Sequence, residues 1–197
     1  MIKRCEWCES TDLMRAYHDT EWGTPVHDDQ RHFEFLVLEF MQAGLSWSTI
    51  LNKRENFRKA FDNFDVNKVA KYGDEKVASL LQDAGIIRNR LKIAALINNA
   101  GKFLEIQKEF GFFDAYIWHF TNGKVVNNKI ESLKGMQVTS DLSDEVSKNM
   151  KKRVSNLSVQ QHSMLICRQS GSLMIILQAV SGIRSLSEEL LAKVLTK

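Results

Sequence analysis

Proline is nearly missing from this chain, and its scarcity constrains the fold more than any other feature of the sequence. The 197 residues contain one proline, Pro25, where an average usage of about 5% would give roughly ten. Helix interiors exclude proline, because its ring clashes with the preceding turn and it lacks a backbone N–H. Loops and turns accept it. The sequence therefore predicts an all-α protein, a helical bundle with short connections.

Apolar spacing and capping residues place the helices of this bundle. Apolar side chains recur at intervals of three and four from Phe33 to Met41, which is typical of a helix with a buried face. Asp28 or Asp29 can begin that helix, and Gly44 ends it. Residues 1–27 show little periodicity and predict an irregular N-terminal arm pinned by large side chains. Further helices are predicted over residues 46–61, 80–84, 88–110, 115–120 and 142–153, with two short ones capped by Asp65 and Asp74.

Composition and charge exclude several classes of protein. A chain with 44% hydrophobic and 26% charged residues is neither disordered nor fibrous. No apolar run approaches the roughly 18 residues of a membrane-spanning helix. The first residues lack a signal peptide, so we expect a cytoplasmic protein that does not engage a membrane. Three cysteines do not form a disulfide framework, and a net charge of +3 permits nucleic-acid binding without requiring it.

Glu39 is the one charged residue in the apolar stretch from Phe35 to Met41. A helix that is apolar on most sides is buried on most sides, and a buried carboxylate is costly unless it is paired. Two interpretations therefore remain open. Glu39 is satisfied by a neighbouring arginine or backbone N–H, or it is a functional group.

Three aromatic residues, Trp7, Tyr17 and Trp47, are predicted in or beside loops. Rings in such places form stacking pockets for flat ligands. The alternative, which the residues alone favour, is that these rings seal the arm onto the bundle, because large aromatics usually pack.

Cys5 and His18 are candidate ligands of a zinc ion, and Cys8 adds a Cys5-x-x-Cys8 spacing. Two or three candidates do not complete a tetrahedral site, so the signal is weak. A small zinc-dependent structural module built on these three residues is one hypothesis for the whole chain.

Gly85 separates two predicted helices, and Arg88, Arg90 and Lys92 follow it directly. A tight hairpin with backbone N–H groups at a helix N-terminus suits a phosphate. An ordinary helix–helix corner is the commoner case.

Several stretches of the sequence resemble the 3-methyladenine DNA glycosylase I family. They are Arg-Cys-Glu-Trp at 4–7, Ala-Tyr-His-Asp-Thr-Glu-Trp-Gly-Thr-Pro at 16–25, Gln-Ala-Gly-Leu-Ser-Trp at 42–47, Lys-Arg-Glu-Asn-Phe-Arg at 53–58 and Asp-Ala-Gly-Ile-Ile-Arg-Asn-Arg-Leu-Lys-Ile at 83–93. The resemblance is nearly continuous over residues 3–153. It implies the helix-hairpin-helix glycosylase fold and the hydrolytic release of N3-methyladenine from alkylated double-stranded DNA.

The resemblance also implies roles for the residues around the base. Glu39 is expected to hydrogen-bond the flipped base, with Tyr17 and Trp47 stacked on it and Trp7 nearby. The family lacks the catalytic aspartate of other helix-hairpin-helix glycosylases. Glu39 is therefore assigned to base recognition and to positioning water.

Further roles implied by the resemblance concern DNA and metal. Gly44 and Leu45 resemble the tip that fills the gap left in the duplex, and the hairpin at Gly85 resembles the phosphate anchor. Family members carry a zinc ion that ties the N-terminal arm to the C-terminal segment. Cys5 and His18 match its first two ligands, whereas Cys8 matches none.

The family pattern disappears after Arg153, and none of the 11 Phe, 4 Trp and 3 Tyr residues lies beyond it. Family members usually continue with Gly-Phe-Lys-Phe-Val-Gly, a Tyr-x-x-Met-Gln-Ala run, Asn-Asp-His and then a cysteine. A one-nucleotide shift of the reading frame over residues 154–183 permits these segments, with the shifted His overlapping Ile176 and the shifted Cys overlapping Val180. The hypothesis is a frameshift near codon 153.

This hypothesis divides the chain into a glycosylase domain over residues 1–153 and a non-family tail over 154–197. The tail lacks two of the expected zinc ligands. We therefore expect an incomplete structural zinc site, reduced stability and low activity, because zinc binding contributes folding free energy. The alternative function is an inactive or non-catalytic remnant that binds damaged DNA. We expect a monomer.

Overall fold

The computed structural model describes residues 4–125 and 140–154, and these ranges are built from helices without a strand. A 3-10 helix, Glu6–Ser10, precedes α1 (Asp12–Thr20), α2 (Asp29–Gln42), α3 (Trp47–Ala60), a second 3-10 helix (Asp62–Phe64), α4 (Val66–Val69), α5 (Asp74–Gln82), α6 (Arg90–Phe110), α7 (Phe113–His119) and α8 (Asp141–Val154). The predicted all-α class is confirmed. The predicted tail lies outside the described residues from position 155 onward.

Among the described helices, none has the length and apolar character needed to cross a lipid bilayer.

Helix α2 forms the centre of the bundle. The Asp28 side chain accepts a hydrogen bond of 2.8 Å from the Arg31 backbone N–H and so caps the helix start. Every residue from His32 to Gln42 is buried, because the helix packs against α3, α6 and α7. The helix ends just before Gly44, whose φ of 79° favours glycine. The predicted limits of this helix are confirmed.

Aromatic rings join α2 to the C-terminal helices. Phe33 of α2 meets Phe103 of α6 edge-on, with ring centroids 5.3 Å apart. Phe103 stacks in turn on Phe113 of α7 at 4.2 Å. These rings are almost fully buried, and aromatic burial of this kind is a large share of core stability.

The predicted irregular arm is wrong for residues 12–20, which form helix α1. The Thr11 side chain accepts a hydrogen bond of 3.1 Å from the Met14 backbone N–H, which is a helix N-cap. Met14 and Tyr17 then lie three residues apart on one buried face. A single apolar turn is too short to show periodicity in the sequence, but packing against the bundle stabilises it.

Two predicted helix starts differ from those observed. Gly73, rather than Asp74, is the N-cap of α5, and Asp74 lies in its first turn. Helix α6 begins at Arg90, two residues later than predicted, because the Asn89 side chain caps it by accepting from the backbone N–H groups of Leu91 and Lys92. The Asp65 cap of α4 is confirmed.

A buried ion-pair network ties the end of α1 to α2 and α3. Arg54, only 7% exposed, donates two hydrogen bonds of 2.8 Å to Glu21 and one of 2.8 Å to Glu34. Arg31 bonds both glutamates, and Arg58 bonds Glu34. Burial alone would raise the pKa of Glu21, but the hydrogen bonds and charge of Arg54 outweigh it and the pKa is lowered.

We expect Arg54→Met to lower the free energy of unfolding by about 3 kcal/mol, because it leaves the buried Glu34 carboxylate and the partly buried Glu21 carboxylate short of a cation. Urea denaturation at neutral pH measures this value. The matched control is Arg15→Met, which removes an exposed ion pair with Asp12 and should change stability little. Equal losses for the two variants would contradict a structural role for the network.

Candidate functional site

The three predicted rings come together in the structure. Tyr17 and Trp47 are 3% and 4% exposed, with ring centroids 5.4 Å apart and planes inclined at 55°. The Trp7 ring centroid lies 6.4 Å from that of Tyr17. Tyr17 lies within α1, Trp47 is the first residue of α3, and Trp7 lies in the first 3-10 helix. The prediction that these rings are in or beside loops is therefore wrong for Tyr17.

Glu39 lies in the middle of α2 with no exposed surface, as the apolar stretch around it predicts. Its charge acts on Tyr17. Burial raises the pKa of the Tyr17 hydroxyl well above its usual value, and the negative charges of Glu39 and Glu21 raise it further. The hydroxyl therefore stays protonated and neutral. The arrangement brings a carboxyl group and a phenol to the same ring cluster.

Buried polar atoms near these residues make no hydrogen bond within the described part of the chain. They are the indole N–H groups of Trp7 and Trp47 and the side-chain oxygen of Gln42. Buried polar atoms are normally paired, so these two donors and one acceptor are suited to a polar ligand. Sequence reasoning missed Gln42. The available signal was a polar residue one helical turn after Glu39, on the same side of α2.

A second row of rings supports the first. Trp22 meets Trp7 edge-on at 5.3 Å and stacks on His18 at 5.4 Å. Both Trp22 and Tyr17 are buried. The row fixes the 3-10 helix against α1, so the position of Trp7 depends on Trp22 and His18.

The candidate zinc ligands form only part of a site. His18 Nδ1 lies 3.0 Å from the Asp19 carboxylate, and Arg4 holds that carboxylate from the other side. A carboxylate on Nδ1 orients a histidine to bind a metal through Nε2. Within residues 4–125 and 140–154, however, no three His, Cys, Asp or Glu side chains are grouped to hold a metal ion.

The Cys8 side chain is bonded to the backbone of its own 3-10 turn. Its thiol is fully buried and donates a hydrogen bond of 3.0 Å to the Cys5 backbone carbonyl. Burial raises the pKa of the Cys8 thiol, and neighbouring negative charges raise it further. Metals bind the thiolate. Within the described residues Cys5, Cys8 and His18 are not grouped as a metal site, which contradicts a zinc module built on these three residues, and zinc binding through Cys5 and His18 stays a prediction.

The predicted tip follows α2 directly. Gly44 is exposed, and its backbone has a φ of 79°. The Leu45 backbone N–H donates to the Gln42 carbonyl at 2.6 Å, which closes the turn, and the Leu45 side chain packs partly against the core. The tip is thus a short exposed turn placed between Glu39 and Trp47 in the chain.

The predicted hairpin lies between α5 and α6. Gly85 has no room for a side chain, since a Cβ there would lie 3.0 Å from Asp83 Oδ1 and 3.2 Å from Asn56. Its N–H donates to Asp83 at 2.7 Å, so Gly85 itself does not offer that group to a phosphate. In the described ranges the backbone N–H groups of Ile87 and Arg88 make no hydrogen bond.

Two basic residues belong to the same segment of the chain as those N–H groups. Arg88 and Arg90 are exposed, and neither forms an ion pair with a described residue. The unbonded N–H groups and the exposed arginines of the hairpin therefore lie over residues 87–90, whereas Gly85 approaches Asn56 closely. Phosphate binding by this hairpin stays a prediction.

Comparisons with known proteins agree with this arrangement. Residues 7–159 match the family described as methyladenine glycosylase. The chain is 43% identical over 152 residues to DNA-3-methyladenine glycosylase 1 of Escherichia coli (strain K12), a match that covers 77% of this chain and 81% of that protein. It is 40% identical over 153 residues to DNA-3-methyladenine glycosylase of Haemophilus influenzae, covering 78% and 83%.

Solved structures are similar as well. A crystal structure of 3-methyladenine DNA glycosylase I superposes with a TM-score of 0.76 at 38% identity, covering 90% of this chain and 93% of that one. A Staphylococcus aureus 3-methyladenine DNA glycosylase I, solved to show 3-methyladenine recognition, superposes with a TM-score of 0.71 at 29% identity, covering 85% and 90%.

We expect Gly85→Ala to lower the free energy of unfolding by about 1–3 kcal/mol, because a Cβ overpacks the contact with Asn56. The matched control is Gly101→Ala in α6, where nothing lies within 4 Å of the new Cβ. That substitution should stabilise the protein by about 0.5–1 kcal/mol, since alanine favours a helix interior. Chemical denaturation of the two variants measures both values, and a destabilised Gly101→Ala would contradict the explanation.

Proposed function

The chain belongs to the methyladenine glycosylase family, and from that premise we propose that it releases N3-methyladenine from alkylated double-stranded DNA. The reaction hydrolyses the bond between base and sugar and leaves an abasic site. The curated relatives carry the name of this activity, and a related enzyme has been solved in complex with 3-methyladenine. The observation that carries the proposal is the burial of Glu39 on α2 beside the Tyr17–Trp47 ring pair.

The charge of the damaged base explains why this environment suits it. N3-methylation gives adenine a positive charge and weakens its bond to the sugar. A cation is favoured by the electron-rich faces of aromatic rings and by a carboxylate. An undamaged, neutral purine gains much less from the same groups. Selectivity is therefore electrostatic as well as steric, and little further chemical activation is needed.

Each ring residue and the carboxyl group then has a defined task. Glu39 accepts hydrogen bonds from the flipped base and positions water for hydrolysis. Tyr17 and Trp47 stack on the base, with Trp7 nearby, and the neutral Tyr17 hydroxyl remains a donor because its pKa is raised. Gln42 adds a buried acceptor one turn further along α2.

The two exposed turns act on the duplex. Gly44 and Leu45 fill the gap that the flipped base leaves, which offsets part of the cost of unstacking it. The hairpin anchors a phosphate through the N–H groups of Ile87 and Arg88 at the start of α6 and through nearby basic side chains. This is the helix-hairpin-helix element of the proposal. We further propose that the chain works as a monomer in the cytoplasm.

The sequence beyond Arg153 favours one alternative, a chain that binds damaged DNA without releasing the base. A structural zinc ion, with Cys5 and His18 as two of its ligands, would stabilise the arm that carries Trp7. The missing family segment removes the other two ligands. We therefore propose a chain with the glycosylase site and an incomplete zinc site, whose activity is low.

We expect Glu39→Gln to reduce excision of N3-methyladenine about 10- to 100-fold, because a hydrogen bond to a charged acceptor is lost. The rate is measured under single-turnover conditions, with enzyme in excess over methylated duplex DNA, by chromatography of the released base. Glu105→Gln, at an exposed carboxylate paired with Lys102, is the control and should keep the native rate. Native excision by Glu39→Gln would remove the role of Glu39.

Native protein that binds the methylated duplex but releases no base, with or without added zinc, would identify the non-catalytic remnant. Native protein that binds neither the duplex nor free 3-methyladenine would overturn the proposed function.

We expect purified protein to contain far less than one zinc ion per chain, because a structural site needs four ligands. Atomic emission spectrometry after dialysis gives the stoichiometry, and thermal unfolding with and without a chelator gives the contribution to stability. A chelator should not change the unfolding temperature. Zinc at one ion per chain would contradict the expected incomplete site, unless Cys8 or Cys167 serves as a substitute ligand.

A further inference from the structure

A buried lysine connects the hairpin segment to the tip. Lys92 lies in the first turn of α6 and is 9% exposed. Its amine donates hydrogen bonds of 2.8 Å to the backbone carbonyls of both Met41 and Ala43. These carbonyls are at the C-terminal end of α2, immediately before Gly44. Carbonyls at that end have no partner within their own helix, and the helix dipole there favours a cation.

A second lysine makes the same kind of connection in the opposite direction. Lys53 lies in α3, which follows the tip, and its amine donates to the carbonyls of Ala84 and Gly85 at 3.2 Å and 3.1 Å. Asn56, one turn further along α3, approaches the Gly85 carbonyl at 3.4 Å. The helix after the tip therefore holds the hairpin, and the helix after the hairpin holds the tip.

We propose that Lys92 and Lys53 are positioning residues that fix the tip (residues 43–45) relative to the hairpin (residues 83–89), so that phosphate contact by the hairpin places the tip in the gap of the duplex. This inference rests on the proposed function. Neither lysine touches the base, and each acts through the backbone of the opposite turn.

These contacts are better explained by alignment of the tip with the hairpin than by stabilisation of the fold alone. Burial lowers the pKa of Lys92, so placing an amine there has a cost that an apolar residue would avoid. Each lysine bonds two carbonyls on a turn distant in the chain, 49 to 51 residues away for Lys92 and 31 to 32 for Lys53. Two crossed contacts prevent the turns from sliding past each other, which one contact would allow.

The test separates insertion of the tip from binding of the base. Lys92→Met keeps the length of the side chain but removes the amine. The probe is a duplex with a tetrahydrofuran abasic-site analogue opposite 2-aminopurine, whose fluorescence rises when the tip unstacks it. We expect native protein to raise the fluorescence. With Lys92→Met the rise should be at least about threefold smaller, while the affinity of this variant for free 3-methyladenine stays native. Excision should fall about 10- to 100-fold, the usual effect of misplacing a catalytic element by about 1 Å.

Two further variants keep the test decisive. Lys53→Met removes the opposite contact at a less buried position and should show the same separation, which covers the case in which Lys92→Met fails to fold. Lys102→Met, on the same helix as Lys92 but bonded to Glu105, is the control and should behave as native protein.

The outcomes distinguish this inference from the proposed function. Native protein that binds neither the abasic duplex nor free 3-methyladenine would overturn both. Native protein that binds free 3-methyladenine but does not bind the abasic duplex, or binds it without raising the fluorescence, would overturn only the inference. Native protein that binds and raises the fluorescence, together with folded lysine variants that do the same, would overturn only the inference. A loss of 3-methyladenine affinity equal to the loss of tip signal would assign the lysines a purely structural role and would also overturn it.

Discussion

The buried pairing of Arg54 with Glu21 and Glu34 is the interaction on which the rest of the structure depends. The proposed base-binding groups come from three separate helices, with Tyr17 on α1, Glu39 on α2 and Trp47 on α3. Arg54 lies on α3 and bonds both the residue that follows α1 and a residue of α2. A buried charge requires its partners at hydrogen-bond distance, so this network fixes the mutual placement of the three helices more strictly than apolar contacts do.

Helix α2 joins two tasks in one rigid element. Glu39 recognises the base in the proposed function, and the turn that fills the gap in the duplex begins only four residues later. A helix is rigid along its axis, because each backbone carbonyl accepts a hydrogen bond from the N–H one turn further along. In the proposed function one rigid element therefore contacts both the base and the duplex, and the crossed lysine contacts extend it to the proposed phosphate anchor.

The parts of the fold that the sequence predicted are those with strong local signals. The repeated apolar spacing and the Asp28 cap determine α2 locally, and Ser46 does the same for the start of α3. Helix α1 was not predicted, because its cap at Thr11 precedes only one apolar turn. The burial of Glu39 followed from its neighbours in the chain, whereas its role came from the family resemblance. The contacts of Arg54 and Gly85 could not be predicted from the local sequence. The partners of Arg54 lie 20 and 33 residues away, and Asn56 lies 29 residues from Gly85.

The ring cluster determines the tryptophan fluorescence of this protein. Three of its four tryptophans, Trp7, Trp22 and Trp47, are joined through mutual contacts and through Tyr17. Indoles at such separations exchange excitation energy, so light absorbed by any of them is emitted by the group. A purine docked against Trp47 would quench that shared emission, and the unlabelled chain would report its own occupancy in an ordinary fluorimeter.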